Sequence, residues 1–433
     1  MAQLAINGGP KTITEHLGSP WPVWDDTERR LLMEVLESGK WWRGGYDDPT
    51  QSKVGQFETA FARFQDAKHG VAVANGTVAI ECALKAVGVE AGDEVIVPAA
   101  TFVASATAPI QVGAVPIFVD IDPRNYTIDP AAVEAAITPR TRAVVAVDYG
   151  GMPCDMDALL DIQQRTGIQI VSDCAHAHGS QWKGVGVGAI GPIGTFSFQA
   201  FKQLPTGEGG MVLTNDDAIA ERAYSYHHIG RIRGRPFYEH HVPASNLRMT
   251  EWQGAIGLAQ FSRLLDQTLI RERNAMYLAQ GLEQIDGVSP LYRDPRVTRW
   301  GFYMWHFKFQ LEGFGGISRD TFLRALGAEG VHAGTGHTEP LYHNPVFAHW
   351  QDNFGRTGFP IRNPYSGQGI DYTTVKCPQA ERIYRDEAIV LSHRLFLGPQ
   401  SAMDQILAAI RKIREHIDEL PRSAATTGAA RSR

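Results

Sequence analysis

Cysteine, long apolar runs and blocks of like charge are all scarce in this chain. The four cysteines among 433 residues stand far apart and form no CxxC pair, so we predict neither a disulfide framework nor a zinc ribbon. We find no run of about eighteen apolar residues and no secretory pattern in residues 1–20. The net charge of -6 is dispersed, which favours neither nucleic acid nor membrane as a partner. We therefore expect a cytoplasmic protein that acts on small molecules.

Short β-branched runs alternate with helical patterns between residues 68 and 215. This alternation indicates βαβ units, and it predicts an α/β fold with a mostly parallel sheet of seven strands. The last two strands are joined only by residues 199–209, which cannot hold a crossover helix, so we expect that pair to be antiparallel. The predicted strands are 70–74, 94–98, 115–121, 142–148, 168–173, 194–198 and 210–214, and the predicted helices include 77–86, 130–137 and 156–166.

A second, smaller α/β domain is predicted in the last third of the chain. Helical patterns cover 250–266 and 269–285, and a new αβ pattern begins near residue 305. We place a large domain at 1–268, a small domain at 269–421 and a disordered Ala/Thr/Arg-rich tail at 422–433. A closing helix is predicted from a capping-box pattern at residues 401–404, from Ile406, Ile410, Ile413 and Ile417 on one face, and from a stop at Pro421.

Lys202 and Asp173 predict amine chemistry. Lys202 lies in the aromatic segment 197–205, and burial there would lower the pKa of its ammonium group from about 10.4, freeing an amine that attacks aldehydes. Asp173 ends an apolar strand at the edge where open α/β sheets bind ligands. A carboxylate there can keep a heteroaromatic nitrogen protonated, as pyridoxal phosphate requires. A solvated surface lysine and a helix-capping or turn aspartate are the structural alternatives.

Three further positions suggest where such a cofactor would bind. Gly76 and Thr77 begin a helix directly after a strand, so backbone N–H groups and a hydroxyl are available for a phosphate. Ser197, on another strand, offers a second hydroxyl. Phe102 follows a strand end and can stack on a flat ring. The alternatives are an ordinary turn capped by Thr77, a buried serine bonded to backbone, and a core phenylalanine.

The segment Asp173-Cys174-Ala175-His176-Ala177-His178 also resembles a metal-binding cluster. We predict no metal, because Asp173 and Cys174 face opposite sides of an extended segment and no further ligand cluster stands elsewhere.

Seven segments occur in order along the chain: Asn75-Gly76-Thr77, Thr101-Phe102, Asp173-Cys174-Ala175-His176, Ser197-Phe198, Lys202, Gly207-Glu208-Gly209-Gly210 and Ser245-Asn246-Leu247-Arg248-Met249. This set resembles the DegT/StrS family of pyridoxal phosphate-dependent sugar aminotransferases over nearly the whole chain. The resemblance implies the aspartate aminotransferase fold, which is the type I fold of PLP-dependent transferases. It also implies a homodimer with active sites shared between the subunits.

The resemblance also implies roles for the catalytic residues. Lys202 would hold the cofactor covalently, Asp173 would face its ring nitrogen, His176 would approach its phenolic oxygen, and Phe102 would stack on the ring. Relatives that dehydrate sugars have histidine in place of the lysine, so Lys202 favours transamination.

The same family pattern implies a phosphate site that two subunits share. Gly76, Thr77 and Ser197 would hold the phosphate, and Asn246 would reach it from the neighbouring subunit.

Resemblance to particular members of the family narrows the choice of ketone that accepts the amino group. Residues 5–10, 41–43 and 340–345 resemble aminotransferases that act on keto-inositols of the 2-deoxy-scyllo-inosose type. Residues 41–43 and 175–179 are also similar to 3-amino-5-hydroxybenzoate synthase. The resulting hypothesis is transfer of an amino group from glutamine or glutamate to a ketone on a cyclitol or sugar. A nucleotide-linked ketosugar and an aminohydroxybenzoate-type substrate remain alternatives.

The sequence also suggests residues that could contact the substrates, and it leaves two rival functions open. Arg231 and Arg248 are candidates for the donor carboxylate. A PLP-binding regulator without turnover is one rival function. A nicotinamide-dependent dehydrogenase is another, although the chain lacks a GxGxxG turn after the first strand. The candidate donors of hydrogen bonds to a polyhydroxylated acceptor are His332, His337, Tyr342, His343 and the Tyr226-His227-His228 run.

Overall fold

The computed structural model describes residues 2–46, 48–355, 357–362 and 369–422. The predicted disordered tail therefore lies, from residue 423 onward, outside the described residues. The elements of the first part of the chain are α1 (Asp26–Ser38), α2 (Lys53–Phe64), β1 (His69–Val73), α3 (Gly76–Ala86), β2 (Glu94–Pro98), α4 (Ala104–Gln111), β3 (Val115–Val119), α5 (Pro130–Ala135), β4 (Thr141–Val147), α6 (Met156–Thr166), β5 (Gln169–Asp173), β6 (Gln181–Trp182), β7 (Val185–Gly186), β8 (Ile193–Ser197), β9 (Gly210–Thr214), α7 (Asp217–His227) and α8 (Glu251–Leu282).

The remaining elements build a second sheet and its helices. They are β10 (Val288–Pro290), β11 (Val297–Arg299), β12 (Met304–Phe309), α9 (Arg319–Ala328), β13 (Ala333–Gly334), α10 (Pro345–Ala348), α11 (Trp350–Asn353), α12 (Pro378–Arg382), β14 (Ala388–Ser392) and α13 (Gln400–Glu415).

The seven predicted strands form one sheet in the order β1-β9-β8-β5-β4-β2-β3. The pairs from β3 across to β8 are parallel, whereas β9 runs antiparallel to both β8 and β1. The mostly parallel α/β sheet and its antiparallel last pair are therefore confirmed. A small sheet of β11, β6 and β7 was not predicted, because strands of two or three residues carry no periodic signal.

Alternate side chains of the central strands enter two different hydrophobic clusters. Ile96, Val144 and Ile170 pack in one cluster, while Val145 and Val171 pack in the other. The sheet is thus buried on both faces, as expected when helices cross over between parallel strands. Polar side chains are consequently concentrated at the edge formed by the carboxyl ends of the strands, where the candidate site lies.

The prediction of two helices at 250–266 and 269–285 is wrong. A single helix of 32 residues, α8, runs through both segments. Nothing at the expected break ends a helix, and the Thr268 hydroxyl donates to the Leu264 carbonyl within it. The predicted domain boundary at 268/269 falls inside this helix, and the division into two domains stays a prediction.

The closing helix α13 is present, but its predicted capping box is wrong. The helix begins at Gln400, two residues earlier than an N-cap at Ser401 implies, and its N-cap, Pro399, makes no side-chain hydrogen bond. Ile406, Ile410 and Ile413 are buried on one face as predicted. The helix ends at Glu415, before the fourth isoleucine of the pattern.

The second sheet, in the order β10-β12-β14-β13, is tied to the edge of the first. Tyr303, just before β12, donates its backbone N–H to the carbonyls of Gly150 and His176 at 3.2 and 3.1 Å. Met304 pairs with Ser392 across β12 and β14. These bonds bring the end of the second sheet against the carboxyl ends of β4 and β5. Among the helices of the described ranges, we find none both long and apolar enough to cross a membrane.

Candidate active site

A cavity of about 740 Å³ lies where the two sheets meet. Its walls come from strand ends of the central sheet and from residues near β12 and β13. Seven of the eight predicted site residues line it, and Asn246 does not. The lining residues that carry the following description are Asn75, Gly76, Thr77, Thr101, Phe102, Asp173, His176, Ser197, Gln199, Lys202, Glu208, Tyr303, Met304, Gly336 and His337.

Lys202 enters this cavity from the turn between β8 and β9. Its backbone N–H donates to the Gln199 carbonyl at 2.8 Å, and its Nζ lies 4.2 Å from the centre of the Tyr303 ring. Burial lowers the pKa of Lys202 to about 8, although the nearby Asp173 charge opposes this shift. A substantial fraction of the amine is therefore neutral near pH 8, as a nucleophile requires.

Asp173, the last residue of β5, presents a buried carboxylate to the same cavity. Its Oδ2 accepts from the Ser105 hydroxyl at 2.9 Å, and its Oδ1 accepts from the Ala175 backbone N–H at 3.2 Å. Burial raises the pKa of Asp173, while these two hydrogen bonds and the Lys202 charge oppose the rise. A carboxylate so placed gains most from a cationic partner, because the pair is formed away from water.

His176 is held as a neutral hydrogen-bond donor. Its Nδ1 accepts from the Gly150 backbone N–H at 3.2 Å, so its proton is on Nε2. Burial, reinforced by the Lys202 charge, lowers the pKa of His176 well below its ordinary value. His178, two residues later, is structural: its ring bonds Gln203 and the Ser197 carbonyl.

The start of helix α3 also lines the cavity, next to Ser197. Asn75, not Thr77, caps the helix, and its side chain accepts from the Val78 N–H at 3.1 Å. The backbone N–H groups of Gly76 and Thr77 have no acceptor within the described part of the chain. A Cβ at Gly76 would lie 2.5 Å from the Ser197 Cβ, so the glycine keeps a close-fitting cradle open. Free N–H groups at a helix N-terminus and two hydroxyls suit a phosphate.

Phe102 is 54% exposed, so the alternative of a core phenylalanine is wrong. Its ring lies 6.0 Å from that of His337 and borders the cavity. An apolar ring at the wall of a cavity that also contains an anion cradle and a buried carboxylate suits stacking on a flat heteroaromatic group. The lysine, the carboxylate, the imidazole, the aromatic ring and the phosphate cradle of this cavity together therefore fit pyridoxal phosphate.

A reactive lysine, a phosphate cradle and a buried acid at the edge of one α/β sheet define a site for aldehyde-based amine transfer. The chain belongs to the DegT/DnrJ/EryC1/StrS aminotransferase family, whose profile matches residues 22–361, and it is an aminotransferase.

Individual relatives support this assignment. 3-Amino-5-hydroxybenzoate synthase of Amycolatopsis mediterranei is 38% identical over 87% of this chain and 92% of that protein. The L-glutamine:2-deoxy-scyllo-inosose aminotransferase of Streptoalloteichus tenebrarius is 36% identical over 96% of this chain and 99% of that protein. The crystal structure of 3-amino-5-hydroxybenzoic acid synthase matches with a TM-score of 0.80 and 35% identity, covering 93% of this chain and 99% of that chain. The predicted type I fold of PLP-dependent transferases is confirmed.

Several residues at the site carried no sequence signal. Ser105 holds Asp173, and Tyr303 lies over Lys202, yet neither stands in a recognisable motif. Met304 and Gly336 line the cavity from segments distant in sequence. Only the topology of the fold places these residues beside the lysine, so a motif search could not have found them.

Of the candidate acceptor contacts, only His337 lines the cavity. His332 lies in a neighbouring cleft. Tyr342 is buried and bonds Glu381 at 2.6 Å, so it has a structural role.

Proposed function

We propose that this chain uses pyridoxal phosphate, bound covalently through Lys202, to move an amino group from glutamine or glutamate to a ketone on a cyclitol. The observation that carries the proposal is the buried Lys202 amine, whose pKa is lowered to about 8, in one cavity with an acid, a neutral imidazole and a phosphate cradle. The names of the curated relatives support the cyclitol as acceptor.

We assign the proposed cofactor contacts from the groups that line the cavity. Gly76, Thr77 and Ser197 would hold the phosphate, and Phe102 would stack on the ring. These four residues would orient the cofactor without taking part in proton transfer.

Two buried side chains would fix the charge on the cofactor ring. The Asp173 carboxylate would pair with the ring nitrogen in a charge-assisted hydrogen bond, worth about 1.5–3 kcal/mol. The His176 Nε2–H would donate to the phenolic oxygen. When bound, the cofactor supplies an electron sink for the carbon that loses its proton.

Lys202 would move the protons of both half-reactions. Its Nζ would remove the proton from Cα of the amino acid, and in the second half-reaction it would deliver a proton to the former keto carbon of the acceptor. One tethered amine can serve both carbons, because both reactants occupy the same position in turn. Tyr303, which lies over Nζ, would help to exclude water.

The site is proposed to be completed by a second copy of the chain. Asn246 is exposed and does not line the cavity of its own chain. Its backbone pairs with that of His228, whose ring lies 6.5 Å from the ring of the exposed Trp42. In a homodimer, Asn246 of one subunit would reach the phosphate of the other. Mixing Lys202→Ala with Asn246→Ala subunits would then restore one intact site per mixed dimer, and no gain in activity on mixing would contradict sharing.

The four cysteines are free, buried thiols, which supports the proposed cytoplasmic location.

The proposal is tested by following the amino group itself. The enzyme would be given glutamine or glutamate, each carrying a labelled amino nitrogen, together with keto-inositols, nucleotide-linked ketosugars and an aminohydroxybenzoate precursor. We expect label in an aminocyclitol, detected by mass spectrometry, with Lys202→Ala protein as the blank. Label found only in a nucleotide sugar or in an aromatic product would replace the cyclitol assignment.

A further inference from the structure

The Lys202 amine lies against the face of an aromatic ring. Its Nζ is 4.2 Å from the centre of the Tyr303 ring, and within the described residues it makes neither a hydrogen bond nor an ion pair. The face of an aromatic ring carries negative charge density, which attracts an ammonium group at this distance. Tyr303 therefore favours the protonated form of Lys202.

Backbone hydrogen bonds and two neighbouring rings hold Tyr303 in this position. Its N–H donates to the carbonyls of Gly150 and His176, and its carbonyl accepts from the His393 N–H at 3.3 Å. Its ring lies 5.0 Å from the His176 ring and 5.8 Å from the His393 ring. Burial raises the pKa of Tyr303, so the phenol is neutral. Lys202 thus faces a firmly held, uncharged ring.

The other titratable groups around Lys202 do not attract an ammonium ion throughout the reaction. The Asp173 carboxylate does so in the cofactor-free protein, but with the cofactor bound its charge would be paired with the ring nitrogen. The Tyr303 ring would then be the contact that favours a cation on Nζ. Three nearby imidazoles are neutral, because burial lowers their pKa values: His176, His178 and His337.

This attraction matters at the moment when Lys202 accepts a proton. In the proposed transfer the C–H bond at Cα of the amino acid breaks, an N–H bond forms on Nζ, and the electron pair stays with the substrate carbon. A neutral amine thereby becomes an ammonium ion in a buried position, where a charge without a partner is costly. The ring face stabilises the ammonium ion more than the amine, so it lowers the barrier to this transfer.

We infer that Tyr303 is a positioning residue whose ring stabilises the ammonium form of Lys202 during proton transfer, in addition to excluding water. The catalytic part of this inference rests on the proposed function. The two effects of the ring on the amine have opposite signs. If the ring only excluded water, its loss would hydrate the ammonium group and raise the pKa of Lys202 from about 8 toward 10.5. Loss of the attraction to the ring face would instead lower that pKa further.

The test compares Tyr303→Phe, which keeps the ring, with Tyr303→Leu, which keeps only apolar bulk. The first readout is the pH dependence of acetylation of the Lys202 amine by acetic anhydride, in the full chain without cofactor, followed by mass spectrometry of the Lys202 peptide. The midpoint should lie about one pH unit lower in the Leu variant than in the Phe variant. The matched control is Tyr292→Leu, which removes a partly exposed ring 5.4 Å from the Arg124 Cζ and should leave the midpoint unchanged.

The second readout is the rate of proton loss from Cα in the holoenzyme. Single turnovers with glutamine or glutamate, with and without deuterium at Cα, measure this rate. Tyr303→Leu should be about 3- to 30-fold slower than Tyr303→Phe. Tyr303→Met serves as a second variant without a ring if the Leu variant does not fold.

A midpoint that is equal in the Phe and Leu variants, or higher in the Leu variant, would overturn the inference, because the ring would then act at most by excluding water. A lower midpoint with equal rates of proton loss would also overturn it, since the attraction would have no part in proton transfer. The titration needs no cofactor, whereas the labelled-nitrogen experiment tests the proposed function on wild type. A failure of the inference can therefore be told from a failure of the proposed function.

Discussion

The two ends of the active-site cavity are built in different ways. The end at which we propose that the cofactor binds, the cofactor end, consists of Gly76, Thr77, Asp173, Ser197 and Lys202, which stand at or just after strand ends of one mostly parallel sheet. The substrate end consists of Tyr303, Met304, Gly336 and His337, which come from around the second sheet. A single sheet fixes the geometry of the first end, whereas packing between two sheets fixes that of the second. The first end should therefore define the chemistry, and the second the choice of substrates.

The largest effect is expected at the centre of the cofactor end. Lys202→Ala should lower turnover by about 10⁴-fold, because the base for proton transfer is lost. It should also abolish the absorption change that we expect when pyridoxal phosphate is added to the wild type. Lys68→Ala, which removes an exposed lysine paired with Asp217, should match wild type. If Lys202→Ala retained turnover, the cofactor end would not carry out the chemistry.

Lys202 should also leave a pH signature in the stability of the cofactor-free protein. Its pKa is lowered from 10.5 to about 8 by burial, so the unfolded state binds more protons between these values and stability rises with pH there. Between pH 8 and 10.5, the free energy of unfolding of the wild type should rise by about 3 kcal/mol more than that of Lys202→Met. Below pH 8, Lys202 should not change how the free energy of unfolding depends on pH. Urea unfolding of both proteins across this range is the measurement. If the free energy of unfolding changed with pH in the same way in both proteins, the lysine would not be desolvated.

Asp173→Asn keeps the size of the side chain and removes its charge. We expect kcat to fall about 10- to 100-fold, because a charge-assisted hydrogen bond to the ring nitrogen is lost. Steady-state kinetics with Asp161→Asn as the surface control would measure this. An Asn variant as fast as wild type would contradict the proposed pairing.

Gly76→Ala tests the cradle by steric means. The added Cβ would approach the Ser197 Cβ to 2.5 Å, and we expect affinity for pyridoxal phosphate to fall about tenfold or more, as 1.4 kcal/mol or more of strain would give. Fluorescence titration with the cofactor measures this. Gly327→Ala in α9, where a Cβ meets nothing within 4 Å, should leave binding unchanged and stabilise the fold by up to about 1 kcal/mol. Unchanged binding in Gly76→Ala would remove this position from the phosphate site.

The contrast between the two ends also explains what the sequence could predict. Strand periodicity identified all seven strands of the central sheet, because β-branched runs alternate there with helices. Residues at those strand ends, such as Asp173 and Ser197, therefore came together as expected. Tyr303 and Met304 could not be predicted, since their positions depend on how the second sheet packs against the first. Helix α8 was divided in error at a polar stretch that contains no helix breaker.

The central claim is a covalent bond between Lys202 and the cofactor aldehyde. The most direct measurement is borohydride reduction of the holoenzyme, followed by proteolysis and mass spectrometry of the peptides. The account predicts one pyridoxyl phosphate group, located on the Lys202 side chain. A pyridoxyl group on any other lysine, or none on the peptide that contains Lys202, would contradict it.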